Sequence, residues 1–167
     1  MDLSIFIRDF EPGDDAAIFA IQRTAEKSAQ WQAADYERLS REVGGLILVA
    51  QSPKSRATIG FLAARLMGEE AELYNLAVAE TQRHRGVGRS LVQEFHLRLA
   101  ASGVFQVSCE VRASNSAALN LYRAFGYVRS GLRRGYYANG GEDALLLQCD
   151  LRYAAACSRF DLSLSRR

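Results

Sequence analysis

Little in this chain invites a metal, a disulfide or a membrane. Cysteine occurs three times, at Cys109, Cys149 and Cys157, dispersed and without CxxC spacing. An odd, scattered set argues against a disulfide scaffold and suits a reducing compartment. The two histidines, His84 and His96, are not clustered with other ligands, so no metal site is expected. No run of about 18 apolar residues occurs, and no membrane span is expected. The N-terminal stretch carries Asp2, Asp9 and Glu11 in place of a basic then apolar leader, so no signal peptide is expected either. Together these absences predict a cytoplasmic protein. The net charge of +2 is too small to suggest a nucleic-acid surface. Two familiar phosphate cradles are missing as well. There is no G-x-x-x-x-G-K-[ST], and no G-x-G-x-x-G near the first strand with an acidic residue about 20 positions on.

What is present is a chain of 167 residues, 49% of them apolar, enough for one domain with a real core. Leu3 to Arg8 alternates apolar and polar residues and predicts a strand. Pro12-Gly13-Asp14-Asp15 is a turn that starts a helix over Ala16 to about Ala29, and a second helix is predicted over Ala33 to Val43. Gly44-Gly45 stops it. Strands follow at 46–50, at 57–67 and, after the Gly68 turn, at 71–78. A long helix then runs to Ser102-Gly103. A strand at 107–111, a short helix at 117–125, and strands at 127–133 and 144–151 complete the pattern. The last two join through Asn139-Gly140-Gly141. Strands interleaved with helices predict an α/β fold, a central mixed sheet flanked by helices. Residues 1–152 read as a single domain and 153–167 as a tail with no clear pattern.

The centre of this pattern is the passage from Leu73 to Val92. Leu73 to Val78 is apolar except for Asn75, as in a strand covered on both faces. Val87, Leu91, Phe95 and Leu99 recur every four residues, giving a helix with one apolar face. Between them lies the basic turn Arg83-His84-Arg85-Gly86-Val87-Gly88. Such glycines serve either a plain turn or a ligand that must approach backbone closely. In the second case the free N–H groups of the first helical turn face an anion. The basic residues around them then read as anion-binding.

A second constellation lies in Glu110-Val111-Arg112-Ala113-Ser114-Asn115 and the helix after it. Val107, Cys109 and Val111 share one face of a strand, and Ser108 and Glu110 the other. A carboxylate in a short apolar strand is either salt-bridged or exposed at an edge, or it is a general base in a cleft. Tyr122 shares its helix face with Ala118 and Phe125, so it is either a core tyrosine or a proton donor at the same cleft.

The turn carries R-x-x-G-x-G (Arg83, Gly86, Gly88), which resembles the pyrophosphate-binding signature of the GNAT superfamily of N-acetyltransferases. The downstream segment resembles the bacterial ribosomal-protein-alanine N-acetyltransferases, the RimI group. The match runs through Glu110 to Asn115, Leu121-Tyr122, Gly126-Tyr127, Arg133-Arg134-Gly135-Tyr136-Tyr137 and Glu142-Asp143-Ala144. It covers the chain from about Leu3 to Leu151. The resemblance implies the GNAT fold, with a mostly antiparallel mixed sheet, and acetyl-CoA as co-substrate with no metal. It implies that Glu110 is the base and Tyr122 the acid. Leu76, Ala77 and Val78 would contact the acetyl and pantetheine portion. Arg83, His84, Arg85, Gly86, Val87, Gly88 and Arg89 would hold the pyrophosphate, and Asn115 would touch the coenzyme. The implied acceptor is a primary amine, such as the N-terminus of a ribosomal protein. A small amine, a free amino acid or a lysine side chain stays open, as does a non-catalytic acyl-CoA sensor or a nucleotide-binding module. A monomer or homodimer is expected. Two positions depart from the group: Ala79-Glu80 stands where an acid and a proline are usual, and Ala29-Gln30-Trp31-Gln32 replaces a P-W-S-like stretch on the acceptor side.

Overall fold

The computed structural model describes residues 5–137 and 141–153. Its elements are β1 (Phe6–Asp9), α1 (Asp15–Thr24), α2 (Ala33–Arg41), β2 (Gly45–Gln51), β3 (Thr58–Met67), β4 (Glu70–Val78), α3 (Val87–Ala101), β5 (Gln106–Arg112), α4 (Ser116–Ala124), β6 (Val128–Tyr137) and β7 (Glu142–Asp150). A single 3-10 turn, Glu80–Gln82, precedes α3. The seven strands form one sheet in the order β1-β2-β3-β4-β5-β7-β6. Neighbours are antiparallel except β4 and β5, which pair parallel. The exception follows from α3, since parallel neighbours need a long crossover between them. The expected mixed, mostly antiparallel sheet is therefore present. Leu3, Asn139, Gly140 and the chain from residue 154 on lie outside the described residues.

The two sheet faces carry separate cores. Val87, Leu91, Val92, Phe95 and Leu99 of α3 pack with Leu48, Leu62, Leu73, Val107, Cys109 and Val111. Ile18 and Ile21 of α1 and Tyr36 and Leu39 of α2 pack with Ile47, Val49, Phe61 and Ala63 on the other face. Alternation along β2 and β3 sends successive residues to opposite cores, which is why these strands read as unbroken apolar runs.

Two helix ends differ from expectation. The first helix stops at Thr24, because the Gln22 side chain binds the Trp31 backbone as a strand would. Its amide donates to the Trp31 carbonyl at 2.7 Å and accepts from the Trp31 N–H at 3.1 Å. That pulls residues 25–32 into a loop over the sheet. The second helix stops at Arg41, where Gly44-Gly45 turns the chain tightly against its neighbours. A Cβ would lie 2.1 Å from the Leu66 carbonyl oxygen at Gly44 and 1.8 Å from that of Leu39 at Gly45.

His96, on α3, sits against the Phe125 and Tyr127 rings and lies 3.0 Å from the Tyr127 hydroxyl. Burial pushes its pKa down to about 4. In the unfolded chain it titrates near 6.5, so between these values the unfolded state binds the extra proton. Stability is expected to fall as pH drops through that window. Urea melts of the protein and of His96→Gln across it check this: the variant should lose that part of the pH dependence.

Candidate active site

The sheet opens at β4. Its register with β3 slips between Ala63, opposite Asn75, and Ala64, opposite Leu73, which leaves Tyr74 as a bulged residue. The bulge switches faces. Ala71 and Leu73 look toward α3, Tyr74 and Ala77 toward α1 and α2, and Leu76 and Val78 toward α3 again. A bulge bends its strand and ends regular pairing. Accordingly β4 and β5 pair only over Glu70–Leu73 and Gln106–Cys109. Beyond that point Tyr74–Val78 and Glu110–Arg112 separate, and a cavity of about 640 Å³ fills the opening. Its walls are the loop Lys27–Trp31, β4 from Glu72 to Leu76, β5 from Glu110 to Arg112, one side of α4, and Arg133, Tyr136 and Tyr137 of β6.

Glu110 and Tyr122 both line this cavity, from opposite faces of the sheet. Val107, Cys109 and Val111 belong to the α3 core, so Glu110 points to the α1/α2 side. Its carboxylate is 3.0 Å from the Arg133 guanidinium. The charge of Glu110, and then the hydrogen bond it accepts from Tyr136, push the Tyr136 phenol up. Tyr122 lies on the α4 side, 4% exposed, with its ring 5.1 Å from that of Tyr127. Burial raises its pKa well above that of an ordinary tyrosine, so the hydroxyl keeps its proton. Glu110 is thus ion-paired and faces a cleft, and Tyr122 is a core tyrosine with a cavity beside it.

Asn115 caps α4, accepting from the Ala118 N–H at 3.2 Å. Its loop is held from β7. Glu142 accepts from the Ser114 N–H at 2.7 Å and pairs with Arg112 at 3.4 Å. The Ser114 hydrogen bonds and then Arg112 hold the Glu142 carboxyl below its usual range. Asp143 accepts from Gly135 N–H at 2.9 Å. The Glu142-Asp143-Ala144 motif thus braces the β5–α4 loop and β6, both cavity walls. Across the opening, the Lys27 ammonium donates to the Ser114 carbonyl at 2.8 Å and ties the α1–α2 loop to the same wall.

The glycine turn lies at the α3 end of the opening. Gly86 is the N-cap of α3 at φ +83° and offers no side chain to the first turn. The N–H groups at the start of a helix have no intrahelical partner, and the space above Gly86 is open, with nothing within 4 Å of a Cβ placed there. Val87 is buried, while His84, Arg85, Gly86 and Arg89 are exposed at this end. Gly88 faces inward, where a Cβ would come 3.3 Å from Leu121. This arrangement suits a phosphate group. Arg83 does not present its side chain to it. Its guanidinium turns back to the Val78 carbonyl at 3.3 Å and the Thr24 carbonyl at 2.9 Å. Among the described residues no cluster of His, Cys, Asp or Glu is placed to hold a metal, and no helix is long and apolar enough to cross a membrane.

Sequence reasoning missed a buried polar network beside the bulge. The Asn75 amide donates to the Ala29 carbonyl at 2.9 Å and to the Tyr36 hydroxyl at 2.8 Å. The Tyr36 hydroxyl in turn donates to Gln22. These bonds pin the loop that walls the cavity. The available signal was Asn75 itself, a lone amide in an apolar strand. Tyr36→Phe removes the bonds to Asn75 and Gln22, each of which keeps another partner, so a loss of about 1 kcal/mol per bond is expected. An unfolding free energy from urea melts lowered by that amount is the expected result.

An Acetyltransferase (GNAT) domain family matches residues 44–129. The [ribosomal protein bS18]-alanine N-acetyltransferase of Salmonella typhimurium is 39% identical over 89 residues, 52% of this chain and 60% of that protein. The chain thus spans under two thirds of that relative's length. The N-alpha-acetyltransferase RimI of Mycobacterium tuberculosis is 35% identical over 140 residues, 77% of this chain and 85% of that protein. The crystal structure of the ribosomal-protein-S18-alanine N-acetyltransferase from Escherichia coli superposes with a TM-score of 0.78 at 26% identity, covering 89% of this chain and 94% of that one.

Proposed function

The chain belongs to the GNAT acetyltransferase family, and we propose that it moves the acetyl group of acetyl-CoA directly to the N-terminal α-amino group of a protein. The observation that carries this reading is the opening between β4 and β5, which gives one cavity walls from both faces of the sheet. Tyr122 meets it from the α4 side and Glu110 from the α1/α2 side. The thioester comes from the first side and the amine from the second. The Gly86 turn and the first-turn N–H groups of α3 take the pyrophosphate. Pantetheine runs along Leu76–Val78, whose edge toward β5 is unpaired, as an added strand would. A backbone N–H near the Tyr74 bulge polarises the carbonyl, a contribution on the order of 3 kcal/mol when the donor is preorganised.

The bond changes balance. The amine nitrogen forms the C–N bond and the C–S bond breaks. Glu110 accepts a proton from the ammonium and passes it to solvent. A second proton leaves nitrogen after attack. The coenzyme thiolate is protonated through Tyr122, which is restored from solvent, so one proton is released per turnover. An α-amine, with pKa ~8, surrenders its proton more readily than a lysine at ~10.4, which favours a protein N-terminus as acceptor.

The test is thiol release from acetyl-CoA with a peptide carrying the bS18 N-terminus, against the same peptide with a blocked N-terminus. Release with the free peptide alone is expected. Turnover only on small amines would overturn the protein acceptor. Tyr122→Phe removes the acid alone, so a rate lowered about tenfold or more is expected, with coenzyme affinity retained. An unchanged rate would return Tyr122 to a packing role.

A further inference from the structure

Resting on that reading, we infer that Glu72 is a specificity residue. With Glu110 and the Asn75 Oδ1 atom it forms a seat for the acceptor's ammonium group, and the Arg133 guanidinium holds that seat until the acceptor displaces it. Glu72 lies opposite Ser108 in the β4–β5 register, so it shares a sheet face with Glu110, and both line the cavity. Burial raises the Glu72 pKa, and the negative charge of Glu110 raises it further while Arg133 lowers it. Two carboxylates side by side are unfavourable unless a cation lies between them. In this structure that cation is Arg133, at 3.0 Å from Glu110.

Arg133 is a replaceable occupant. Its side chain is 53% exposed, and it reaches in from β6, where the pairing with β7 is irregular between Arg133 and Tyr137. Exposed ion pairs of this kind are weak. The other cations lining the cavity have partners elsewhere: Lys27 on the Ser114 carbonyl and Arg112 on Glu142.

A primary ammonium has three N–H donors and needs three acceptors. Glu72 and Glu110 supply two. Asn75 is 3% exposed and lines the same cavity, and its Oδ1 has no partner among the described residues. The amide cannot flip to remedy this, because its nitrogen is held by the Ala29 carbonyl and the Tyr36 hydroxyl. An unpaired buried acceptor is costly and points to a donor that arrives with a ligand. The seat therefore selects a cationic primary amine and delivers its proton next to Glu110.

Alaninamide is the probe, with N-acetylalaninamide as the uncharged control, titrated into the coenzyme A-saturated protein and followed by chemical shifts. The free amine is expected to bind at least about tenfold tighter than the control. Glu72→Gln should weaken alaninamide about tenfold or more while coenzyme affinity is kept, and Glu72→Asp should recover part of the loss. Arg133→Gln should tighten it about threefold, since no resident cation must leave. A structural role for Arg133 would not produce that sign. Equal binding of probe and control, unchanged binding in Glu72→Gln, or weaker binding in Arg133→Gln would each overturn the seat. Any of these in a protein that acetylates the bS18 peptide would sink the seat alone. A protein that binds alaninamide as described and leaves the peptide untouched would sink only the protein acceptor.

Discussion

Glu110→Gln is expected to lower kcat by about 100-fold or more at neutral pH, the range a positioned general base contributes. Glutamine keeps the shape of the side chain and an oxygen facing Arg133 and Tyr136 but cannot take a proton. Coenzyme affinity should be retained, since Glu110 lies on the α1/α2 face, away from the Gly86 turn. The loss should also depend on pH in one direction. As pH rises past the α-amine value of ~8, solvent removes the proton that Glu110 would have taken. The variant's rate should climb toward that of the parent protein. Initial rates for both across neutral to alkaline pH check this. A ratio near unity throughout would mean that the amine arrives already neutral and Glu110 only anchors Arg133.

The parts of this protein that were legible in the sequence are those fixed by local pattern. The four-residue recurrence from Val87 to Leu99 gave α3 because its apolar face is buried along its whole length. Glu110 stood out as a carboxylate inside a short apolar strand, on the face opposite Val107, Cys109 and Val111. What stayed hidden depends on pairing with distant residues. Nothing in Leu73 to Val78 announces that Tyr74 is bulged, because the slip exists only against Ala63 and Ala64 of β3. The end of α1 is set by Gln22 reaching Trp31, which local helix propensity does not register. β6 extends to Tyr137 because β7 is there to pair with it, through two irregularities. Arg133 and Glu72 were each ordinary surface charges on their own strands. Only the sheet order, which sets β6 beside β7 and β4 beside β5, brings them to one carboxylate. Conversely, Arg83 read as one more cation of an anion site, and its side chain serves to join β4 to α1.

Gly86→Val should lower coenzyme affinity about 100-fold or more, read by calorimetric titration with coenzyme A. Two effects combine. Gly86 sits at φ +83°, where a residue bearing a Cβ is strained by roughly 1–2 kcal/mol, and a β-branched side chain suffers most. The second effect concerns the ligand. A Cβ at Gly86 would meet nothing of the protein within 4 Å, so the valine methyls take up open space beside the unpaired first-turn N–H groups that a bound phosphate would need. Gly86→Ala separates the two. Strain alone would make alanine and valine similarly weak, whereas occupation of the anion's place makes valine far worse. Gly88→Ala provides the contrast, since its Cβ would come tightly within 3.3 Å of the Leu121 side chain and into ordinary contact with Leu76 and Val78 at 3.8 Å. Its effect should appear in stability, where α3 meets α4 and β4. A Gly86→Val protein that binds coenzyme A normally would place the pyrophosphate away from this helix start, and the exposed His84, Arg85 and Arg89 would then be plain surface charge.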